Sequence, residues 1–240
     1  MTQKHLFFDL DRTLWDFDKN SEIALRLLFD ELELQSHVPH FDIFHDIYKT
    51  TNAKLWKAYG QGLIKKEDLR SERFRNTLEY FNVIDENITE KISSGYIELS
   101  PKQTALFPSA LDTLKELKTE GYQLHIITNG FKEVQFTKLV EARLHSFFDL
   151  ILCSEEVGHN KPSKLIFEHA LNAVGAVPLN SVMIGDDYEV DVVGARNCGM
   201  HAVLFDPKNE KEKLENQHRI KDLHELPSLL PWIFRTIRYR

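Results

Sequence analysis

The chain has 240 residues, 42% hydrophobic and 28% charged, with a formal net charge of -7. That length suits one large domain or one domain carrying a sizeable insert, and the acid excess argues against a broad nucleic-acid surface, which needs clustered Lys and Arg to displace counterions from phosphates. Two cysteines, Cys153 and Cys198, are too few for a disulfide framework, and neither a membrane-length apolar run nor an N-terminal stretch of signal character occurs, so a reduced cytoplasmic protein with no membrane or nucleic-acid partner is expected.

In chain order, the first predicted strand covers 5–10 and ends in "DLDRT". From about 15 to 105 the apolar spacing is helical throughout, as in Ile23, Leu27, Leu28 and Leu32 and again in Phe41, Phe44, Tyr48, Thr51 and Leu55. Pro101 and Pro108 then break the pattern. A helix over 109–120, closed by Gly121, leads to a strand over 123–128. Three further pairs follow: helix 132–144 with strand 150–154, helix 163–174 with strand 181–185, and helix 189–198, stopped by Gly199, with strand 201–205. The alternation predicts an α/β fold, a Rossmann-like parallel-sheet core covered by helices on both faces, built from 1–14 and 106–240. Residues 15–105 form an inserted α-helical domain. The charge run "PKNEKEKLENQHR" and the basic end "RTIRYR" are expected to be solvated.

In a parallel α/β sheet the ligand site lies beyond the carboxyl ends of the strands. The first strand end supplies Asp9 and Asp11, two positions apart and so on one side of an extended chain. The second supplies Thr128 and Asn129, the segment after the third supplies Lys161, and the fourth supplies Asp186, Asp187 and Asp191. Converging carboxylates repel one another unless a cation sits among them. Oxygen-only ligation without Cys or His favours Mg2+ over zinc, and such an ion completes its shell with substrate phosphate. Thr128, Asn129 and Lys161 then offer hydrogen bonds and positive charge to phosphoryl oxygens, and the helix after Asn129 is expected to aim free N–H groups at the same anion. Asp9 is the candidate nucleophile and Asp11 the candidate general acid and base.

"DLDRT", Thr128, Lys161-Pro162 and "GDDYEVD" resemble, in order and spacing, the four motifs of the haloacid dehalogenase (HAD) superfamily of phosphohydrolases. The resemblance covers the whole core, and the helical insert is similar to the cap of C1-type members. "ITNGF", "SEEVGHNKP" and "LWKAYGQGLIKKEDLRSERF" are most similar to pyrimidine 5'-nucleotidases of the YjjG/YfnB type. The likeness implies an aspartyl phosphate on Asp9, with Asp11 as acid and base. It implies Mg2+ held by Asp9, the main-chain carbonyl of Asp11 and Asp186, with Asp191 in support. The implied substrate is a small phosphorylated metabolite, a nucleoside monophosphate first, for a monomer or small homo-oligomer whose cap closes over the core.

Competing readings are a sugar-phosphate or phosphoglycolate phosphatase, a phosphomutase, a haloacid dehalogenase and a non-catalytic binding module. Asp11 and Asp186 speak against the dehalogenase, and the intact set with Asp9 and Lys161 against the binding module. Two departures concern preference rather than mechanism: Arg12 where Gly, Asp or Asn is usual, and His159-Asn160 before Lys161. Asp16 and Asp18 read as turn or N-cap residues, and Asp187 as a helix-start residue. Tyr48, Trp56 and Tyr59 read first as aromatic core, with Trp56 and Tyr59 as the candidates for nucleobase stacking and substrate specificity.

Overall fold

The computed structural model describes residues 3–210 and 218–235. It divides into two compact units, Met1–Phe17 with Thr104–Arg240, and Asp18–Gln103. The second unit consists of α1 (Phe17–Glu31), whose first residue belongs to the other unit, α2 (Phe41–Gly60), α3 (Lys66–Glu79) and α4 (Glu86–Leu99). Its core holds Leu25, Phe29, Phe44, Tyr48, Phe74 and Ile92. These residues recur at helical spacing, so each helix buries one stripe against the others. The Asp85 carboxylate accepts from the N–H groups of Asn87 and Ile88, which fixes where α4 begins.

Aromatic packing in this unit separates residues that the sequence groups together. Tyr48 is 1% exposed and stacks on Phe74 with ring centroids 5.2 Å apart. Trp56 and Tyr59 are half-buried, meet edge to face at 5.7 Å, and lie outside that core. Ile23 and Leu27, expected on the apolar stripe of α1, are exposed. The buried stripe instead runs through Ser21, Ala24, Leu25 and Leu28.

The first unit is built on β1 (His5–Phe8), β2 (Gln123–Thr128), β3 (Leu150–Cys153), β4 (Ser181–Gly185), β5 (His201–Phe205) and β6 (His218–Ile220). The strands pair in the order β3-β2-β1-β4-β5-β6, each pair parallel. Alternate side chains serve opposite faces. Leu6, Phe8, Ile126, Ile184 and Phe205 pack on one side, and Phe7, Ile127, Met183 and Leu204 on the other. The first face meets α5 (Ala110–Thr119) through Leu114 and Leu117, α6 (Lys132–Glu141) through Leu139, and α10 (Leu226–Arg235) through Leu230 and Ile233. The second meets α8 (Lys164–Ala173) through Ile166, Phe167 and Ala170, and α9 (Gly194–Asn197) through Ala195. One short turn, α7 (Ser154–Val157), follows β3 directly.

The elements differ from expectation at several places, among them α6, which ends at Glu141 rather than at residue 144. β1 stops at Phe8 rather than residue 10, because the Leu10 carbonyl turns to accept from the N–H groups of Leu14 and Trp15, at 3.0 and 2.9 Å. Residues 188–193 form a π-helical turn ahead of α9 in place of a regular helix over 189–198. β6 is only three residues long, too short for periodicity to register. α10 contains Pro227 and Pro231; Pro227 falls in the first turn, where no intrahelical N–H is required. The reading of residues 211–217 and 236–240 as solvated lies outside the described residues. No described helix is long and apolar enough to cross a membrane, and both cysteines are buried and free.

Candidate active site

Parallel pairing sets the carboxyl ends of β1, β2 and β4 side by side, with Phe8 in register with Ile126 and Ile184. Each strand therefore delivers the residues that follow it to one rim. The Asp9 N–H donates to the Ile184 carbonyl at 2.9 Å, so the sheet ladder itself fixes the backbone of Asp9.

Lys161 lies at the centre of the charged group. Its Nζ donates to Asp9 Oδ1 and to Asp191 Oδ1, both at 2.7 Å. All three side chains are buried. Asn129 holds the lysine's backbone from both sides: its Oδ1 accepts from Lys161 N at 2.8 Å and its Nδ2 donates to Lys161 O at 3.0 Å. The Asn129 amide thus places Lys161, and these two bonds leave its second Nδ2 hydrogen unused. Asp191 is fixed a second time, its Oδ2 accepting from Asp187 N at 3.1 Å. The π turn brings Asp191 so close to β4 that a Cβ on Gly185 would collide with its carboxylate. Asp187 caps that turn by accepting from Val190 N at 3.0 Å, the structural role expected for it.

One oxygen each from Asp9, Asp186 and Asp191 lies within 4.8 Å of the others. Burial pushes the Asp9 carboxyl well up from its usual range, Asp191 and Asp186 push the same way, and Lys161 pulls against them. Burial alone would lower the Lys161 ammonium, but Asp191 and Asp9 raise it above its usual value. Three carboxylates facing one ammonium leave an excess of negative charge in a low-dielectric spot. A hard, all-oxygen donor set with no Cys or His fits a divalent cation such as Mg2+.

Asp11 has different partners. Its Oδ1 accepts from Lys138 Nζ at 2.6 Å and its Oδ2 from Gln135 Nε2 at 2.9 Å. The carboxylate therefore stands apart from the Asp9, Asp186 and Asp191 cluster. Only its main-chain carbonyl remains as the expected ligand. Thr128 Oγ1 accepts from Gly130 N at 3.1 Å and from Gln135 Nε2 at 2.7 Å. A hydroxyl has two acceptor sites and one donor. With both acceptor sites taken, the Thr128 hydrogen is available to an incoming oxygen.

At α6 one of the N–H groups expected to face an anion is already taken: that of Lys132 donates to Glu155 Oε1 at 2.6 Å, an acid on a neighbouring turn competing for an unpaired donor. That N–H is accordingly not free for an anion. His159 is exposed, with its backbone N–H bound to the Ser154 carbonyl at 3.3 Å.

Sequence reading missed three side chains. Thr13 is fully buried and its hydroxyl reaches Asp9 Oδ2 at 3.5 Å. Gln135 is 0% and Lys138 4% exposed. A signal for the last two was present, since Phe131, Gln135, Lys138, Leu139 and Ala142 fall on one helical stripe, all of it buried. Two polar residues on that stripe need buried partners.

Comparison with known proteins gives a consistent result. The model of the family described as haloacid dehalogenase-like hydrolase matches residues 6–205. The pyrimidine 5'-nucleotidase YjjG of Escherichia coli is 31% identical over 228 residues, 94% of this chain and 96% of that one. The glyceraldehyde 3-phosphate phosphatase of Methanothermobacter thermautotrophicus is 32% identical over 223 residues, 90% of each. Among solved structures, the HAD-hydrolase YfnB of Bacillus subtilis, bound to magnesium, superposes with a TM-score of 0.84 at 26% identity, covering 96% of this chain and 100% of that one.

Proposed function

Because the chain belongs to the haloacid dehalogenase-like hydrolase family and is an enzyme of its phosphatase branch, we propose that it is a Mg2+-dependent phosphomonoesterase. It works through an aspartyl phosphate on Asp9 and acts on pyrimidine nucleoside 5'-monophosphates. The observation that carries this reading is the buried ammonium of Lys161 held 2.7 Å from both Asp9 and Asp191. Such a group costs much to bury, and an arriving phosphoryl group gives it a use.

Asp9, held by the ladder beside Lys161, attacks phosphorus as the bond to the leaving oxygen breaks. Asp11 gives that oxygen its proton. In the second step Asp11 removes a proton from a water, whose oxygen attacks phosphorus and frees Asp9 and inorganic phosphate. Lys161 and the Thr128 hydroxyl stabilise negative charge on the remaining phosphoryl oxygens. Asn129 keeps Lys161 in place. Asp9, the Asp11 carbonyl and Asp186 would hold Mg2+, with Asp191 in support. The ion, when bound, supplies positive charge to the phosphoryl oxygens and relieves carboxylate repulsion. Discrimination among leaving groups is assigned to the helical unit, with Trp56 and Tyr59 as its candidate contacts.

The relative that is a glyceraldehyde 3-phosphate phosphatase favours a second reading, a small sugar phosphate as substrate. Phosphate release across pyrimidine and purine monophosphates, triose and pentose phosphates and phosphoglycolate, with Mg2+ and with chelator, decides between them. Pyrimidine monophosphates are expected to give the highest kcat/KM, and chelator to abolish release. Preference for a sugar phosphate would replace the substrate assignment while leaving the mechanism intact.

A further inference from the structure

We infer that Gln135 and Lys138 form a two-armed cradle that positions the Asp11 carboxylate for proton transfer and ties it to the phosphate-binding hydroxyl of Thr128. The inference rests on the reading of Asp11 as acid and base. Both arms come from α6, at positions i and i+3 of one face. Lys138 Nζ holds one Asp11 oxygen at 2.6 Å and Gln135 Nε2 holds the other at 2.9 Å. The same Nε2 reaches Thr128 Oγ1 at 2.7 Å. One amide group therefore sets the spacing between the proton donor and a phosphoryl-oxygen ligand.

Further contacts hold the cradle in place. Lys138 Nζ lies 4.3 Å from the centre of the Trp15 ring, so its ammonium is confined by a π face as well as by Asp11. Gly130 has no side chain where a Cβ would collide with the Gln135 amide, which lets that amide sit under the strand end. A network selected for stability alone would not bury a lysine where an apolar residue would fill the space. An ionised carboxylate has about four lone-pair sites. The two arms take one on each oxygen, so a site remains for the proton that Asp11 moves.

Leaving groups of different basicity separate this role from a purely structural one. Alkyl phosphates such as nucleoside monophosphates need their leaving oxygen protonated, whereas 2,4-dinitrophenyl phosphate does not. Steady-state kcat/KM, which covers the first chemical step, is measured on both for wild type, Lys138→Met, Gln135→Met, Lys138→Arg and Asp11→Ala, with thermal melts in parallel. Lys138→Met and Gln135→Met are expected to lose about 100-fold on the nucleotide, in the range of one general acid, and less than about fivefold on the aryl ester. Asp11→Ala is expected to show the same contrast more strongly, and Lys138→Arg to recover part of the loss. Equal losses on both esters, or none on either, would overturn the cradle. An inert wild type, or an Asp11→Ala variant with no leaving-group contrast, would instead overturn the proposed function on which it rests.

Discussion

Thr128 shows how one atom acquires a role from its neighbours. Gly130 N and Gln135 Nε2 occupy its two acceptor sites, so its hydrogen points to whatever else reaches it. Thr128→Val removes that donor and also leaves Gln135 without one of its acceptors. It is expected to lower kcat/KM by about 10- to 100-fold, the value of one hydrogen bond to a charged group, while Thr128→Ser stays within about threefold of wild type by the same reasoning. Phosphate-release kinetics on the two variants check this, and equal loss in both would remove the hydroxyl from the account. Arg12 is explained by the backbone: its φ of 63° lies in the left-handed region, which suits the Gly, Asp or Asn expected there. Its guanidinium lies 4.4 Å from the centre of the Phe17 ring, a contact that offsets part of the strain.

At the scale of elements, the sheet carries a feature unrelated to the strand-end chemistry. His5 on β1 and His125 on β2 are both buried, and His5 Nδ1 and His125 Nε2 are 3.1 Å apart. Burial, reinforced by His5, lowers His125 to about 4. The unfolded chain, with an ordinary imidazole near 6.5, takes up a proton at higher pH than the folded one. The contribution of the neutral ring is therefore complete above pH 6.5 and lost as pH falls toward 4, a swing of about 3 kcal/mol. Urea unfolding at pH 7 and pH 4.5 should show a smaller drop in His125→Phe than in wild type. An equal drop would assign acid sensitivity elsewhere.

Other elements show what can be read in advance. Strands β2, β4 and β5 start and stop at the expected residues, because a fully buried parallel strand is a near-continuous apolar run bounded by polar residues. The π turn at 188–193 carried no such signal. Its shape follows from the need to bring Asp191 under Gly185, a tertiary demand invisible to periodicity.

For the whole molecule, a single parallel sheet brings distant stretches of sequence together where Lys161, reached through the polar segment after β3, meets Asp9 and Asp191, and the positions of Asp9, Thr128 and Asp186 at the ends of apolar runs were legible. The partners of Asp11 were not. Gln135 and Lys138 belong to residue types that usually face water, and only the direction of α6 over the sheet decides that they do not. The same logic limits the substrate. Strand ends dictate chemistry at phosphorus, while the leaving group is met by residues with no comparable signature in the sequence. The central claim is that phosphorus passes through Asp9. The most direct test is the rate of phosphate release by Asp9→Asn with Mg2+ and the best substrate of the panel, with far-UV circular dichroism verifying the fold. A fall of at least about 1,000-fold, as for loss of a catalytic nucleophile, is predicted; a folded Asp9→Asn protein within about tenfold of wild type would contradict the account.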